Sequence, residues 1–422
     1  MVLEKIGSGA FGVVYKQTTG NQVVAVKRIK IDKGVHYTIV RELAMGNYLK
    51  HPGITQFLEF KYKKMTVELI MEYGGIDLRE YIYTSPFQAR INYIDRFKQQ
   101  IVDALVYIHQ HGIIHRDLKP DNILIDRQGV IRICDMGLSK YVETQEIKQY
   151  NQLEEYSGPL TKEVCTVNYR APELFDEEIT SYTNTIDIWS LGCIFYEYIT
   201  RTYLFSGVTD KIIYQKIKEF NAITVHSVIK ELNSTKATEY ITIILNFCKL
   251  NPDERILLQT PLIAPPQPEY FIRNNIRIKM HTRDYWVKYI FDKEITDTVC
   301  RMTLLGAIDL FDQYIAFTKL PSQHQNQNYL VDACILISSK MHSERIPFVS
   351  NDVIKAEKII LKKVRNILPI TILQVIGINT LYQNSNDDQV WQDIKNYMLK
   401  YENLKNKNIK DIQHYFVENG QN

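Results

Sequence analysis

The chain has 422 residues, of which 45% are hydrophobic and 23% are charged, as in ordinary folded proteins. This composition excludes long disorder, collagen and coiled-coil rods, and at roughly 100–200 residues per domain the length predicts two or three domains. The formal net charge of +3 is too small for the strong positive field of a nucleic-acid-binding protein, so no nucleic-acid partner is expected.

No apolar run approaches the roughly 20 residues that a membrane-spanning helix needs, and the first five residues lack the basic-then-apolar pattern of a signal peptide. We therefore expect an intracellular protein, in the cytoplasm or the nucleus, with no membrane partner. The six cysteines show neither metal-binding nor redox-pair spacing, and we expect buried, reduced thiols at Cys134, Cys165, Cys193, Cys248, Cys300 and Cys334.

In chain order, the first predicted elements are strands. Apolar runs at residues 2–6, 13–17 and 23–29 are separated by glycine-containing turns. From about residue 92 the apolar residues recur with a helical period, and residues 186–198 form another such stretch. The pattern predicts a small β-rich lobe followed by a larger helical lobe.

A glycine-rich segment joins the first two predicted strands and contains Gly7, Ser8, Gly9 and Gly12. Glycines allow the tip of a hairpin to approach a phosphate chain closely. On its own this segment is equally typical of an ordinary turn. It differs from a dinucleotide-binding fingerprint, because strand patterns flank it on both sides and no helix follows it.

The third predicted strand ends near Lys27, which alternation places on the same face as Ala25. An ammonium group there can neutralise anionic oxygens, although a lone lysine after a strand is usually solvated. Glu42 follows in a helical segment and could pair with Lys27. Taken in isolation, that pairing is a hypothesis.

The most specific motif is residues 115–122, His-Arg-Asp-Leu-Lys-Pro-Asp-Asn, followed by a short strand and by Asp135. This set suits phosphoryl transfer, in which one carboxylate accepts the hydroxyl proton and a lysine screens the moving phosphoryl group. An amide and a second carboxylate can hold Mg²⁺. The alternative, a solvated polar turn, does not explain why order and spacing match a kinase signature over eight successive residues.

With this motif, residues 1–259 resemble the eukaryotic protein kinases. Further kinase motifs stand at residues 171–173 (Ala-Pro-Glu), at residues 187–192 (Asp-Ile-Trp-Ser-Leu-Gly) and at Arg255. The resemblance implies the α+β bilobal protein kinase fold, with a β-rich N-lobe and a helical C-lobe.

In that fold the N-lobe covers about residues 1–74 and the C-lobe about residues 75–259. The resemblance also implies that Glu173 and Arg255 form a buried ion pair that steadies the C-lobe.

The resemblance assigns a role to each polar residue of the central motif. Asp117 is expected to be the catalytic base, and Lys119 to lie beside the γ-phosphate of ATP. Asn122 and Asp135 are expected to bind Mg²⁺. A lysine two residues after the base is similar to the Ser/Thr kinases and differs from the tyrosine kinases.

ATP is the second cofactor that the resemblance implies. Lys27 is expected to hold its α- and β-phosphates, oriented by Glu42, while Met71 gates the back of the pocket and residues 72–74 form the adenine-contacting hinge. The implied ATP-binding residues are Gly7, Ser8, Gly9, Gly12, Val14, Ala25, Lys27, Glu42, Met71, Glu72 and Gly74.

Two segments are similar to the cyclin-dependent kinases in particular. Residues 34–42 resemble their PSTAIRE helix and keep its Arg-Glu end, and residues 160–173 resemble their activation segment. Thr161 matches the activating phosphothreonine. Arg170 and Val164 match positions that accept a proline after the target hydroxyl, which implies Ser/Thr-Pro substrates.

The pocket implied for the phosphate on Thr161 contains Arg41, Arg116 and Lys140. Phosphate gains from charge-assisted bonds to arginines, but Lys140 stands where the third arginine is usual. Lysine lacks the bidentate fork of arginine, so a smaller gain from phosphorylation is expected. Residues 142–158 lengthen the activation segment and are expected to form a mobile loop.

Residues 260–269 predict a linker, because residues 260–268 hold four of the chain's 13 prolines and neither a helix nor a central strand survives there. Residues 270–422 carry helical apolar stripes, and residues 328–342 are apolar nearly all round, as in a buried central helix. The residues of this all-α block show no cluster of carboxylates or metal ligands.

This block resembles a cyclin box over about residues 280–375. Residues 304–315 are similar to the second cyclin helix and residues 329–340 to the third. The resemblance implies that Lys340 and Glu357 pair with each other and contact the kinase near its PSTAIRE-like helix, although the gap between them is short. An unrelated helical extension is the alternative.

The sequence therefore predicts a Ser/Thr protein kinase, using ATP and Mg²⁺ on protein substrates, fused to its own cyclin-like activator. The kinase and the cyclin-like domain are expected to touch, either within one chain or between two chains. Two alternatives stay open. The first is a pseudokinase scaffold without catalysis, and the second is a kinase whose helical domain recruits substrates or another partner.

Overall fold

A computed structural model describes residues 2–9, 12–31, 36–63, 66–141, 166–175, 182–255, 286–290 and 328–342, and single positions at 304, 307, 308, 310, 311, 314, 353, 354, 356, 359 and 360. It covers most of the predicted kinase domain and only parts of the block after it. The predicted linker at 260–269, the insertion at 142–158, Thr161, Val164 and Glu357 lie outside the described residues.

A five-stranded antiparallel sheet forms the first lobe, with the strand order β1-β2-β3-β5-β4. Its strands are β1 (Val2–Gly9), β2 (Gly12–Thr19), β3 (Gln22–Lys30), β4 (Phe57–Lys63) and β5 (Thr66–Glu72). The central strand β3 pairs with both β2 and β5. Val24 and Val26 of β3 pack with Ile70 of β5 in a small core, and alternation places Lys27 on the opposite face.

Helix α1 (Tyr37–Tyr48) is buried continuously over residues 38–46. His36 caps its start, because the imidazole Nδ1 accepts a hydrogen bond from the backbone N–H of Thr38 at 3.4 Å. The helix packs against β4, against the turn Met136–Leu138 and against the helix Asn328–His342. Surrounded in this way, α1 takes its position from its neighbours and not from its own helix propensity.

The second lobe is helical and contains the main hydrophobic core. Its helices are α2 (Leu78–Thr84), α3 (Phe87–Gln110), α4 (Thr185–Thr200), α5 (Asp210–Lys218), α6 (Ala222–Glu231) and α7 (Thr235–Phe247). Helix α4 is buried over nearly its whole length, as expected for a helix that is apolar all round. Phe97 of α3 stacks on Tyr198 of α4 with ring centroids 4.8 Å apart.

Five very short strands frame the loops between the lobes. They are β6 (Ile76–Asp77), β7 (Ile113–Ile114), β8 (Ile123–Ile125), β9 (Ile131–Ile133) and β10 (Lys140–Tyr141). β6, β8 and β9 form one small sheet, and β7 pairs with β10. The motif at residues 115–122 therefore lies between two anchored strands, β7 and β8, and Asp135 follows β9.

The predicted ion pair in the C-lobe is present and bidentate. Arg255 Nη1 and Nη2 donate to the two carboxylate oxygens of Glu173 at 2.6 and 2.8 Å, and Nη1 also donates to the carbonyl of Thr185 at 3.1 Å. Both side chains are almost fully buried. The pair ties the Pro172–Leu174 turn to the end of the predicted C-lobe and to the start of α4.

Replacing Glu173 by Ala is expected to lower the free energy of unfolding by about 3–5 kcal/mol, because Arg255 stays buried without its counter-charge. Urea denaturation followed through tryptophan fluorescence measures this loss, since one of the three tryptophans, Trp189, has its ring centre 5.1 Å from the Arg255 guanidinium. The matched control is Glu59→Ala, which removes an exposed pair with Lys61 and is expected to cost at most about 1 kcal/mol. Equal losses in both variants would contradict the structural role of the buried pair.

The helix Asn328–His342 is buried from Leu330 to Lys340 apart from half-buried Asp332. A short helical segment at residues 286–290 packs beside it, since Tyr289 donates its hydroxyl hydrogen to Asp332 at 3.1 Å. Within the described part of the chain, no helix is both long and apolar enough to cross a membrane.

The predicted fold class is confirmed for the first lobe and the second lobe. One prediction about the cysteines needs correction: Cys193, Cys248 and Cys334 are buried, but Cys134 is only half-buried. Cys134 directly precedes Asp135, whose side chain is itself partly exposed. Cys165 and Cys300 lie outside the described residues.

Candidate active site

Three charged side chains meet between the lobes. Lys27 on β3 places its Nζ 2.8 Å from Glu42 Oε2 on α1 and 3.0 Å from Asp135 Oδ1 after β9. The Lys27 and Glu42 side chains are only 10% and 7% exposed, whereas that of Asp135 is 37% exposed. Asp135 is thus open to a ligand on one side while Lys27 holds it on the other.

This cluster shifts the pKa of each of its members. Burial acts to lower the pKa of Lys27, but the charges of Glu42 and Asp135 outweigh burial and raise it. Burial raises the pKa of Glu42 to about 7, although the Lys27 ammonium opposes that shift. Burial also acts to raise the pKa of Asp135, but attraction to Lys27 outweighs burial and lowers it. Glu42 is therefore the member that titrates near neutral pH.

A second cluster surrounds Asp117. Lys119 Nζ donates to Asp117 Oδ2 at 2.7 Å and to Thr166 Oγ1 at 2.9 Å. Asn122 Nδ2 donates to the carbonyl oxygen of Asp117 at 2.8 Å and to Asp117 Oδ2 at 3.0 Å. The backbone N–H of Thr166 donates to Asp117 Oδ1 at 3.1 Å. Every hydrogen bond of this carboxylate thus comes from a group that the loop or the turn at Thr166 holds in place, within the described residues.

Asp187, on α4, anchors the backbone of the loop that carries Asp117. Its two oxygens accept the backbone N–H groups of His115 at 2.9 Å and Arg116 at 3.0 Å, and the Nε2 of His109 lies 2.9 Å away. Arg116 has a positive φ of 68°, which costs energy for a residue other than glycine. The buried carboxylate offsets that strain and fixes the position of Asp117 one residue later.

The three basic residues of the predicted phosphate pocket all lie within the described residues. Arg41 on α1 and Arg116 are both buried, and Lys140 lies on β10. Arg116 Nε donates to the carbonyl of Leu138 at 2.6 Å, and its Nη1 donates to the hydroxyl of Tyr182 at 2.7 Å. Thr161 is outside the described residues, so its predicted place beside these side chains stays a prediction.

The predicted ATP pocket has glycines at its two tight points. In the β1–β2 hairpin Gly9 pairs with Gly12, and a Cβ at Gly12, whose φ is +154°, would lie 2.4 Å from the carbonyl oxygen of Arg28. At the predicted hinge a Cβ at Gly74 would lie 2.6 Å from Leu124 Cδ1, and Gly75 has a φ of +99°. A side chain at Gly12 would displace β3, and one at Gly74 would displace the side chain of Leu124.

The other predicted ATP-binding residues line the same strands. Ser8 pairs with Val13, and Val14 pairs with Lys27 across the β2–β3 ladder. Met71 pairs with Ala25 on the β3–β5 ladder, and Glu72 ends β5. These pairings place Val14, Ala25 and Met71 on the neighbouring strands β2, β3 and β5, of which β5 ends at the predicted hinge.

The donor set can be compared with the needs of Mg²⁺, which is usually bound through one or two protein oxygens together with water and substrate phosphates. Asn122 uses its Nδ2 in both bonds to Asp117, so its amide oxygen is the atom left for a metal. Asp135 contributes a partly exposed carboxylate. The described residues contain no group of three or more His, Cys, Asp or Glu side chains that could hold a metal by themselves. Asn122 and Asp135 thus fit Mg²⁺ carried in with a nucleotide.

Two contacts of this site were not predicted from the sequence. Thr166 binds both Lys119 and Asp117, although its place in the Cys-Thr-Val-Asn-Tyr stretch gave no sign of that role. Tyr182 binds Arg116 from a segment 66 positions further along the chain. The only signal in the sequence was that each is a hydroxyl-bearing residue close to a recognised motif: Thr166 precedes residues 171–173, and Tyr182 precedes residues 187–192.

The comparison with known families agrees with this geometry. A family model described as the protein kinase domain matches residues 1–263. The chain belongs to the protein kinase family. A second model, described as the cyclin N-terminal domain, matches residues 255–379, so a cyclin domain follows the kinase domain.

The cyclin match identifies the helix that packs on α1 as part of a cyclin domain. The helix Asn328–His342 lies inside the matched region, and it packs against α1 and against β10. Lys340 near its end is close enough to His36, at the start of α1, to contribute to the lowering of the imidazole pKa, behind burial, which is the larger cause. The packing of this helix on α1 agrees with the predicted docking, while the predicted contact of Lys340 stays a prediction and Glu357 is outside the described residues.

Proposed function

We propose that the protein is a Ser/Thr protein kinase that transfers the γ-phosphate of ATP to Ser/Thr-Pro sites of protein substrates and is activated in cis by its cyclin domain. The observation that carries this proposal is the state of α1. The helix Asn328–His342 packs on α1 while Glu42 of α1 lies 2.8 Å from Lys27. A kinase needs this Lys–Glu pair in place before it can transfer a phosphoryl group.

In this proposal Asp117 accepts the proton of the substrate hydroxyl at its carboxylate. Lys119, bound to Asp117 and Thr166, is placed to neutralise charge on the moving phosphoryl group. Lys27, kept charged by its raised pKa, holds the α- and β-phosphates of ATP. Asn122 and Asp135 would hold Mg²⁺, which when bound screens the negative charge of the phosphate oxygens.

Preference for proline after the target residue rests on Arg170. Its Nη1 donates to Asp210 Oδ2 at 3.0 Å and its guanidinium lies 5.2 Å from the ring centre of Phe175. A guanidinium held from two sides has a fixed position, and in this proposal it lines the site of the residue that follows the target hydroxyl. Because the pocket's other predicted member, Val164, is outside the described residues, this preference rests on Arg170 and on the sequence resemblance.

The test is transfer of radiolabelled γ-phosphate from Mg-ATP to a Ser-Pro peptide by the full-length chain without any added cyclin. The Asp117→Asn variant provides the blank, and a Ser-Ala peptide tests the proline preference. We expect transfer above the blank and a marked preference for Ser-Pro. Retained ATP binding without transfer would instead favour a pseudokinase scaffold.

The pH profile of kcat/KM provides a further prediction. The Lys27–Glu42 pair needs Glu42 ionised, and burial raises the pKa of Glu42 to about 7. Activity is therefore expected to be full above that pKa and to fall as the pH is lowered through about 7. The Glu42→Gln variant should be poorly active and lack this limb of the profile. Glu68→Gln is the control, because Glu68 pairs with Arg28 and Lys63, away from ATP, and its pKa is lowered; loss of the limb there would contradict the assignment.

A further inference from the structure

The contacts of Arg116 reveal a second anchor for the catalytic loop. Arg116 is fully buried, and a buried guanidinium needs acceptors for its N–H groups. Its Nε donates to the Leu138 carbonyl at 2.6 Å and its Nη1 donates to the Tyr182 hydroxyl at 2.7 Å. Two of the three guanidinium nitrogens are therefore held by neutral oxygens of the protein itself.

The position of Tyr182 in the chain strengthens this observation. It stands three residues before α4 begins at Thr185, and α4 carries Asp187, which accepts the backbone N–H of Arg116. A single segment thus holds both the backbone and the side chain of Arg116. The next residue is Asp117, so any displacement of Arg116 moves the carboxylate that the proposed reaction uses.

We propose that Tyr182 is a positioning residue that holds Arg116, and through it Asp117, in place before Thr161 is phosphorylated. The proposal rests on the proposed function and extends it to the regulation of the same site. Nε and one N–H of Nη1 are already donated to protein oxygens before any phosphate reaches Arg116, which reduces what phosphorylation adds. Lys140, without a bidentate fork, reduces it further.

The test compares Tyr182→Phe in two states of Thr161. In a Thr161→Ala background, loss of the hydroxyl leaves a buried charged donor without this acceptor, and kcat is expected to fall roughly tenfold. In the chain carrying phosphate on Thr161, verified by mass spectrometry, the phosphate supplies the missing acceptor and the same substitution should change kcat less than twofold, on the order of experimental scatter. Tyr240→Phe, which removes a hydroxyl bond of 2.7 Å to Asp95 far from the site, is the control for both states.

Three results would overturn the proposal. They are an equal loss of activity in both states, no loss in either, and complete inactivity of Thr161→Ala with Tyr182 intact. Amide hydrogen exchange in the segment 113–122 tests the contact between Tyr182 and Arg116 without measuring catalysis. The exchange rate of this segment should rise in Tyr182→Phe but not in Tyr240→Phe. If the wild-type chain transfers no phosphate, the proposed function fails, while the exchange result still decides whether Tyr182 holds the loop.

Discussion

Asp117→Asn is expected to lower kcat by about 10²–10⁴, the contribution of a positioned general base. Asparagine keeps the size of the side chain and one acceptor oxygen, but its amide nitrogen cannot accept the hydrogen bonds of the oxygen that it replaces, and the side chain cannot take up a proton at neutral pH. Its amide would also face Lys119 Nζ, which now lies 2.7 Å from Asp117 Oδ2. Initial rates at saturating Mg-ATP and peptide measure the change.

The affinity for ATP distinguishes a loss of catalysis in Asp117→Asn from misfolding of the variant. Lys27, oriented by Glu42, holds the nucleotide in the proposed mechanism and lies apart from the hydrogen bonds of Asp117, so the dissociation constant for ATP should stay within about threefold, the usual scatter between distant sites. Asp103→Asn, on the exposed side of α3 where the side chain binds Gln99, is the matched control and should keep full activity. Substantial activity in Asp117→Asn would remove Asp117 from the role of base.

Deletion of residues 270–422 is the second change for which we expect a large effect. Without the helix Asn328–His342, the buried face of α1 is exposed to water, and burial of each apolar side chain is worth about 1.5–3 kcal/mol. If the free energy of burying one or two such side chains is lost, the state in which Glu42 reaches Lys27 becomes less populated. We expect kcat to fall by about 100-fold.

The truncated chain must be shown to be folded for this result to count. The Glu173–Arg255 pair and the C-lobe core lie entirely within residues 1–255, so the C-lobe of the truncated chain should still unfold cooperatively in urea. Adding residues 270–422 back as a separate chain should restore activity in a concentration-dependent way. A truncated, folded kinase with full activity would instead favour a recruiting role for the cyclin domain.

The sequence predicted the catalytic loop well because its chemistry is local. Asp117, Lys119 and Asn122 lie within six successive residues, and the structure brings their side chains within hydrogen-bonding distance of Asp117. The first three strands of the N-lobe were also predicted, since apolar runs between turns are a local signal, whereas β4 and β5 were not predicted. Lys27 and Glu42 were joined only through resemblance, and their atoms meet in the structure.

Contacts between distant parts of the chain could not be predicted in the same way. Thr166 binds Asp117 from 49 positions away, and Tyr182 binds Arg116 from 66 positions away. Nothing in the sequence around either residue distinguishes its hydroxyl from the many hydroxyls that are solvated. The helix at residues 328–342 was predicted as buried, but because it is apolar nearly all round, periodicity did not reveal which of its faces meets α1.

Activation in cis is tested most directly by cutting the tether. A protease site inserted within residues 260–269 lets the kinase and cyclin domains be separated after purification, and size-exclusion chromatography verifies that dilution has parted them. A short tether supplies a millimolar effective concentration, so the uncut chain should keep its specific activity on dilution on the order of a thousandfold, whereas the cut chain should lose it. Activity of the uncut chain that falls on dilution, or of separated halves that persists, would contradict activation within one chain.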